Sequence, residues 1–536
     1  MKQLFIALSA LFFLFGSTSC YKDISQLPNR TIEEVAIDTT GLVTEIHIGQ
    51  QEELKISPKI LHSNPAQLTY EWSISDRPSA VGGAKLEVIG KNLDLNYKIL
   101  KPISNTPYML RLQITDPSNG DLKYSFKWQV HVHGTFVSGL LIADTKDNGS
   151  TSNFTYIKNK HFDGNYTEDK EVIHRNILRD TTLIKGRVSQ LLYTVSRPFY
   201  VPSHRGYVWA VTTDGDLRRY DMEGFKLEGT LAGNDLILYR PEGMKVDYIF
   251  RASDGIYTKT SHGIYHYNPF GMDVERVFTV PIQRLKDISI SNDVIAKDPN
   301  NGRMNSLIWL DDAKGALRVQ TSQTNSEDDK LLESFRPNAQ FDPSKLSGYS
   351  AKAAEISQNG KDALFLLKTS RGDYGIYTLS LGSVDRNSGN YNQGSAKGRH
   401  MIPTSFIPIL DKAISYVFNK SDNVLYVATP SEIYSVTFGL IDQADFKSEP
   451  IYRAPQGRPI KMVRLFTQGG YAALGNAYGF KKIPLNLNAL TIVTEADKKG
   501  SVHIIPFGES PEVLDTTKEL SYDGFGEVLD VIGIEK

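Results

Sequence analysis

Apolar and polar residues alternate in short runs along most of this chain. Between residues 37 and 132 the runs are TEIHIG (44–49), LTYEW (68–72), LDLNY (93–97), YMLRLQI (108–114) and YSFKWQVHV (124–132). A period of two sends alternate side chains to opposite faces of a strand. The segment DPSNG (116–120) separates two of the runs and predicts a tight turn. Short strands with frequent turns over this length predict a β-sandwich spanning residues 37–134, with Trp72 in its core, packed on aliphatic residues of the facing sheet.

From residue 138 to 536 the pattern becomes a repeat: an apolar strand, a tight turn, then a strand carrying tyrosine or leucine. Examples are YVWAV (207–211) with LRRY (217–220), ALFLL (363–367) with GIYTL (375–379), and VLYVA (424–428) with EIYSV (432–436). GYAAL (470–474) with GFKKI (479–483) reads the same way. Asp-Gly turns at 214–215 and 254–255 are hairpin signals. Repeated hairpins over this length predict a β-propeller of about seven blades. VHIIP (502–506) and EVLDVIGI (527–534) are the candidates for closing the ring with the first strands. The predicted fold class is all-β.

The N-terminus departs from this pattern. LFIALSALFFLF (4–15) follows Lys2 and leads through GSTS (16–19) to Cys20, the one cysteine in the chain. That is a signal-peptide pattern, and its apolar stretch falls short of the roughly 20 residues that cross a bilayer. The cysteine after small residues resembles a bacterial lipobox. The resemblance implies removal of residues 1–19 and lipid on Cys20, with 20–36 as a polar tether. Once Cys20 is acylated no thiol remains for a disulfide, a metal site or a nucleophile.

Charge excludes one class of partner. Lys and Arg total 60 against 61 Asp and Glu, so there is no basic excess for nucleic acid. An apolar fraction of 40% argues for a folded chain rather than a disordered one.

Catalytic patterns are scarce. There is no His-Glu-x-x-His helix, no Gly-x-Ser-x-Gly elbow and no phosphate or dinucleotide loop, so no metal ligand, cofactor or catalytic residue is assigned. His131 and His133 share a strand face, and His262 and His266 flank Gly263; both pairs read as strand or hairpin residues. Residues 144–149 (DTKDNG) group oxygen ligands as calcium loops do, but Lys146 stands where an acidic or neutral residue belongs, and a plain turn is expected. Asp-Thr-Thr triplets offer Thr39, Thr181 and Thr516 as acceptors resembling those of Bacteroidetes O-glycosylation.

A Cys-Tyr-Lys-Asp start, the Tyr70-Glu-Trp72 motif, Trp128-Gln-Val130, and a long β region ending in Tyr522-Asp-Gly-Phe-Gly526 together resemble the PKD-like lipoproteins of Bacteroidetes. The resemblance implies an immunoglobulin-like PKD domain before the propeller. It implies display on the outer membrane, where Lys22 and Asp23 would act as the export signal, beside a TonB-dependent SusC/SusD-type importer. The implied role is non-catalytic capture of an oligosaccharide or peptide. A propeller glycoside hydrolase or lyase, or a protein scaffold, remains open.

Overall fold

The computed structural model describes residues 34–535, except 39, 41–42, 51, 79–83, 103, 105, 135, 165, 167–170, 180, 197–204, 223, 234, 253–254, 268–277, 279–280, 283–288, 298–304, 322–330, 358–359, 385–390, 440–443 and 470–482. Cys20, Lys22, Asp23 and Thr39 lie outside the described residues, as does almost all of the expected strand pair at 470–483. The chain forms two compact units, Met1–Thr135 and Phe136–Lys536. Among the described residues no helix is long and apolar enough to cross a membrane.

The first unit is built on a five-stranded sheet in the order Glu45–Gly49, Leu122–His133, Tyr108–Asp116, Thr69–Ser75, Leu86–Gly90. Two short ladders, Ala36–Ile37 with Ile60–Leu61 and Glu53–Ile56 with Leu95–Lys98, supply Ile37, Ile60, Leu54 and Leu95 to the same core. The alternation works as the sequence suggests: Tyr108, Leu110, Leu112 and Ile114 are buried while the residues between them are partly exposed. The predicted turn is a 3-10 turn, Pro117–Asn119, with Asp116 accepting from the Ser118 N–H and Gly120 at φ +70°. Trp72 is fully buried, but its large neighbour is Trp128 of the same sheet, with ring centroids 5.2 Å apart. One strand, Tyr108–Asp116, lies between theirs, so the two indoles meet over it. The Trp72 indole N–H donates to the carbonyls of Asn92 and Leu93, so its one polar atom is satisfied.

The second unit is propeller-like. Its described residues form seven sheets of three to five antiparallel strands, plus one two-stranded hairpin. In chain order the leading strands of sheets two to seven are Val188–Ser196, Val246–Ala252, Ile290–Lys297, Ser350–Ile356, Ser415–Phe418 and Ile460–Leu465. Sheet one is composite: the C-terminal strand Glu527–Glu535 pairs with Ser138–Thr145, which pairs with Thr151–Lys158. The expected closing partner 502–506 belongs instead to the interior of sheet seven, in the strand Lys499–Pro506.

Sheet stacking explains why the central strands are apolar on both faces. In Ser138–Thr145, Leu141 and Ala143 pack towards sheet two, whereas Leu140 and Ile142 pack towards sheet seven. In Asp362–Lys368, Phe365 and Leu367 pack towards sheet four, and Leu364 and Leu366 towards sheet six. Residue parity therefore selects the neighbour. Seven hydrophobic clusters result, each shared by two consecutive sheets, and one of them joins sheet seven back to sheet one.

Two glycines serve this architecture. The 214–215 turn joins Arg205–Thr212 to Leu217–Asp221, with Gly215 at φ +85°, where a side chain is strained. Gly526, before the C-terminal strand, has backbone in place of space: a Cβ there would lie 1.9 Å from the Thr145 carbonyl oxygen.

Candidate functional site

The leading strands carry polar and charged residues that the sheet cores exclude, and these link one strand to the next. The Asp530 carboxylate accepts from the Leu191 N–H at 2.6 Å, joining sheet one to sheet two. The Gln190 side chain donates to the Ile249 carbonyl at 2.7 Å and accepts from its N–H at 2.9 Å. The Tyr248 hydroxyl reaches the Asp293 carbonyl at 3.2 Å. Ser291 accepts from the Ala351 N–H at 3.0 Å, and the Asn292 amide donates to the Ala351 carbonyl at 2.7 Å. Lys420 pairs with Glu355 at 3.2 Å, and the Ser415 hydroxyl donates to the Val463 carbonyl at 3.1 Å. Arg464 ion-pairs with Asp530 and returns the series to its start.

Lys297 sits at the end of its strand within this circuit. Burial pushes its ammonium below the usual lysine range; Glu355 opposes this, and Lys420 and Arg464 add to it. Those three groups come from sheets five, six and seven, whereas Lys297 comes from sheet four. Charges from three consecutive sheets thus act on Lys297, which stands on the leading, polar strand of its own sheet. Lys297 is partly open to solvent. Its ammonium lies over the Phe250 ring at 5.2 Å, and among the described residues no carboxylate is within ion-pair distance. Glu355 is already committed to Lys420, and Asp530 to Arg464. Lys297 is therefore an amine with no carboxylate at ion-pair distance among the described residues, although Glu355 acts on it from further away. Such a group attracts an anion, because the interaction is strengthened where water is thin.

Two carboxyls lie at the far end of the C-terminal strand. Burial, with a contribution from Asp163, raises the Glu535 carboxyl to about 7. The Tyr193 hydroxyl is buried near Glu535 and Arg251, and burial raises it as well.

A second concavity lies between sheets one and seven. It is a cleft of about 490 Å³ lined by residues that include His161, Asn488, Phe507, Thr517 and Glu519. Behind it the His503 Nδ1 lies 2.6 Å from Glu519 and its Nε2 lies 3.0 Å from the Thr494 hydroxyl. The order Thr-His-Glu resembles a nucleophilic relay, but Thr494 is fully buried and offers no face to a substrate. The arrangement satisfies a buried imidazole.

The residues singled out in the sequence take the following places. The His133 side chain lies outside the described residues; the His131 ring stacks on His47 at 4.6 Å and its Nε2 lies 2.9 Å from Glu45. His262 sits in the turn before Gly263–Tyr267, and the His266 ring lies against Tyr257 at 4.7 Å. The 144–149 segment is a turn whose carboxylates are engaged by protein donors. Asp147 accepts from the Thr151 hydroxyl and N–H and from the Thr145 hydroxyl, and these bonds, Thr151 foremost, hold it down at about 2. Asp144 accepts from the Gly526 N–H at 2.8 Å. Thr181 and Thr516 are exposed in turns, and Asp515 accepts from the N–H and hydroxyl of Thr517. Lys297, Arg464 and Asp530 were not legible, because seven separate segments meet at the axis and no local spacing marks them.

No family model matches the chain, and no curated protein matches it. Solved structures resemble it at low similarity. Kluyveromyces lactis Hsv2 is 11% identical, with a TM-score of 0.35, covering 73% of this chain and 100% of that one. Apo AztD from Citrobacter koseri is 10% identical, with a TM-score of 0.33, covering 87% and 98%. A DUF4784 family protein from Bacteroides caccae is 8% identical, with a TM-score of 0.28, covering 94% and 99%. None of these likenesses assigns the chain a ligand or a reaction.

Proposed function

We propose that this protein is a lipid-anchored binding protein of the bacterial cell surface, in which a PKD-like sandwich is followed by a seven-bladed propeller. The propeller centre captures an oligosaccharide or peptide that carries carboxylate or other anionic groups. The ligand then passes to a TonB-dependent SusC/SusD-type importer, and the anchor is lipid on Cys20. The observation that carries this reading is the Lys297 side chain, which has no ion-pair partner among the described residues, with Lys420 and Arg464 acting on it and their carboxylate partners already engaged. Binding is favoured over catalysis because Glu355 and Asp530 are held in ion pairs rather than presented to a substrate.

Two experiments test the two halves of the proposal. The native lipoprotein, solubilised from outer membranes in mild detergent, is captured and its companions are identified by mass spectrometry. Recovery of a SusC/SusD-type pair supports the importer role, and recovery of the protein alone contradicts it. Proteinase treatment of intact cells tests surface display: digestion of the propeller supports it, and protection overturns it.

One observation favours a second reading. Burial, with Asp163 adding to it, raises the Glu535 carboxyl to about 7, the range of a general acid in glycoside hydrolysis. Hydrolysis of acidic oligosaccharides that disappears in Glu535→Gln would establish it in place of simple binding.

A further inference from the structure

The first unit brings together three side chains from two strands far apart in the sequence. Strands Glu45–Gly49 and Leu122–His133 run parallel, and their register sets His47 directly opposite His131. Glu45 and His47 are two apart on one strand, so they share the face on which His131 projects. The two imidazoles stack with centroids 4.6 Å apart and planes 9° apart. Both Nε2 atoms approach one oxygen, Glu45 Oε1: His131 at 2.9 Å and His47 at 3.7 Å. One ligand atom from each residue falls within 4.8 Å of the others.

We propose that Glu45, His47 and His131 form a binding site for a divalent transition-metal cation such as zinc. Two imidazole nitrogens and a carboxylate oxygen are the donors that such an ion takes, with bonds of about 2.0–2.2 Å and ligand atoms then roughly 3.3 Å apart. Binding one ion requires the stacked rings to tilt so that both Nε2 lone pairs converge, a motion that the exposed His47 and Glu45 side chains can supply. Position differs among the three in a useful way. The His131 side chain is 16% exposed, whereas those of His47 and Glu45 are 58% and 60% exposed. The exposed side leaves a coordination position for water or for a group on a partner.

The test uses the full mature chain, freed of metal by chelator and then dialysed. Zinc binding is followed by calorimetry, and cobalt is used as a spectroscopic probe. One equivalent of zinc, with cobalt giving the intense visible bands of a low-coordinate N/O site, is the expected result. His47→Ala and Glu45→Gln, both exposed and expected to fold, should each weaken binding by more than about tenfold. His262→Ala, in a turn of the other unit, should bind as the parent does. Absence of saturable binding, or binding unchanged in the His47→Ala/His131→Ala double variant, would show that the three groups form only a histidine–carboxylate ion pair and would overturn the proposal.

Discussion

Arg464 and Asp530 form an ion pair between the leading strand of sheet seven and the C-terminal strand, and Asp530 is completely buried. The carboxylate also accepts from the N–H groups of Leu191 and Val531, at 2.6 and 2.8 Å. Burial raises the Asp530 carboxyl, while Arg464 and these bonds work to keep it ionised. One side chain therefore ties the last segment of the chain to both sheet two and sheet seven. Removing a single partner of such a pair strands the other. Arg464→Met should lower unfolding free energy by about 3 kcal/mol, measured by denaturant titration. Asp530→Asn keeps an acceptor for Leu191 and should cost less. Equal stability of Arg464→Met and the parent would show that the pair does not hold the ring closed.

Gly526 makes a sharper packing prediction. It lies where the C-terminal strand begins, and a Cβ there meets the Thr145 carbonyl at 1.9 Å. Gly526→Ala must push the closing strand away from Ser138–Thr145, with a cost of about 1–3 kcal/mol. Gly457→Ala is no clean control, because its positive φ adds strain of its own. Gly224, with open space around it, should tolerate alanine with little change.

Glu535 sets a pH dependence. Its carboxyl is raised from 4.5 to about 7 in the folded chain. Between those two values the folded form holds a proton that the unfolded form has released. The contribution to stability is thus fully present below about 4.5 and is lost as pH rises through about 7. The melting temperature of the parent should fall across that window relative to Glu535→Gln, whose profile should be flatter. Parallel profiles would contradict the assignment.

Much of this fold is legible in the sequence, for a physical reason. Middle strands such as Asp362–Lys368 are covered on both faces, so they read as apolar runs, and the hairpin turns between them are marked by Gly and Asp. The leading strands are harder to read. Ile290–Lys297 (ISNDVIAK) has an irregular register between Ile290 and Ile295, and its polar residues face the axis and the neighbouring strands. Its Lys297 acquires meaning only from Lys420 and Arg464, far away in the chain. Likewise His131 looks like half of a pair with His133 until the parallel register brings in His47. Trp72 shares its core with aliphatic residues of the short ladders, such as Leu54 and Leu95, and cross-strand geometry on its own sheet adds Trp128.

Lys297 should show a trade between stability and binding. Its pKa is lowered in the folded chain, so the unfolded form holds the proton more tightly and stability rises as pH climbs towards the unfolded value of 10.5. Lys297→Met removes that penalty and should stabilise the chain by about 1 kcal/mol at neutral pH. A loss of stability instead would mean that the ammonium has a structural counter-charge.

The most direct test of the account is retention of anionic ligands by the ring centre. Mature protein and its Lys297→Met variant are immobilised, and each is challenged with one mixture of acidic and neutral oligosaccharides and peptides. The retained molecules are identified by mass spectrometry. The account predicts that the parent enriches acidic species and that the variant, folded and at least as stable, loses them. Retention of neutral species alone, or identical retention by both proteins, would contradict an anion-binding site at the axis.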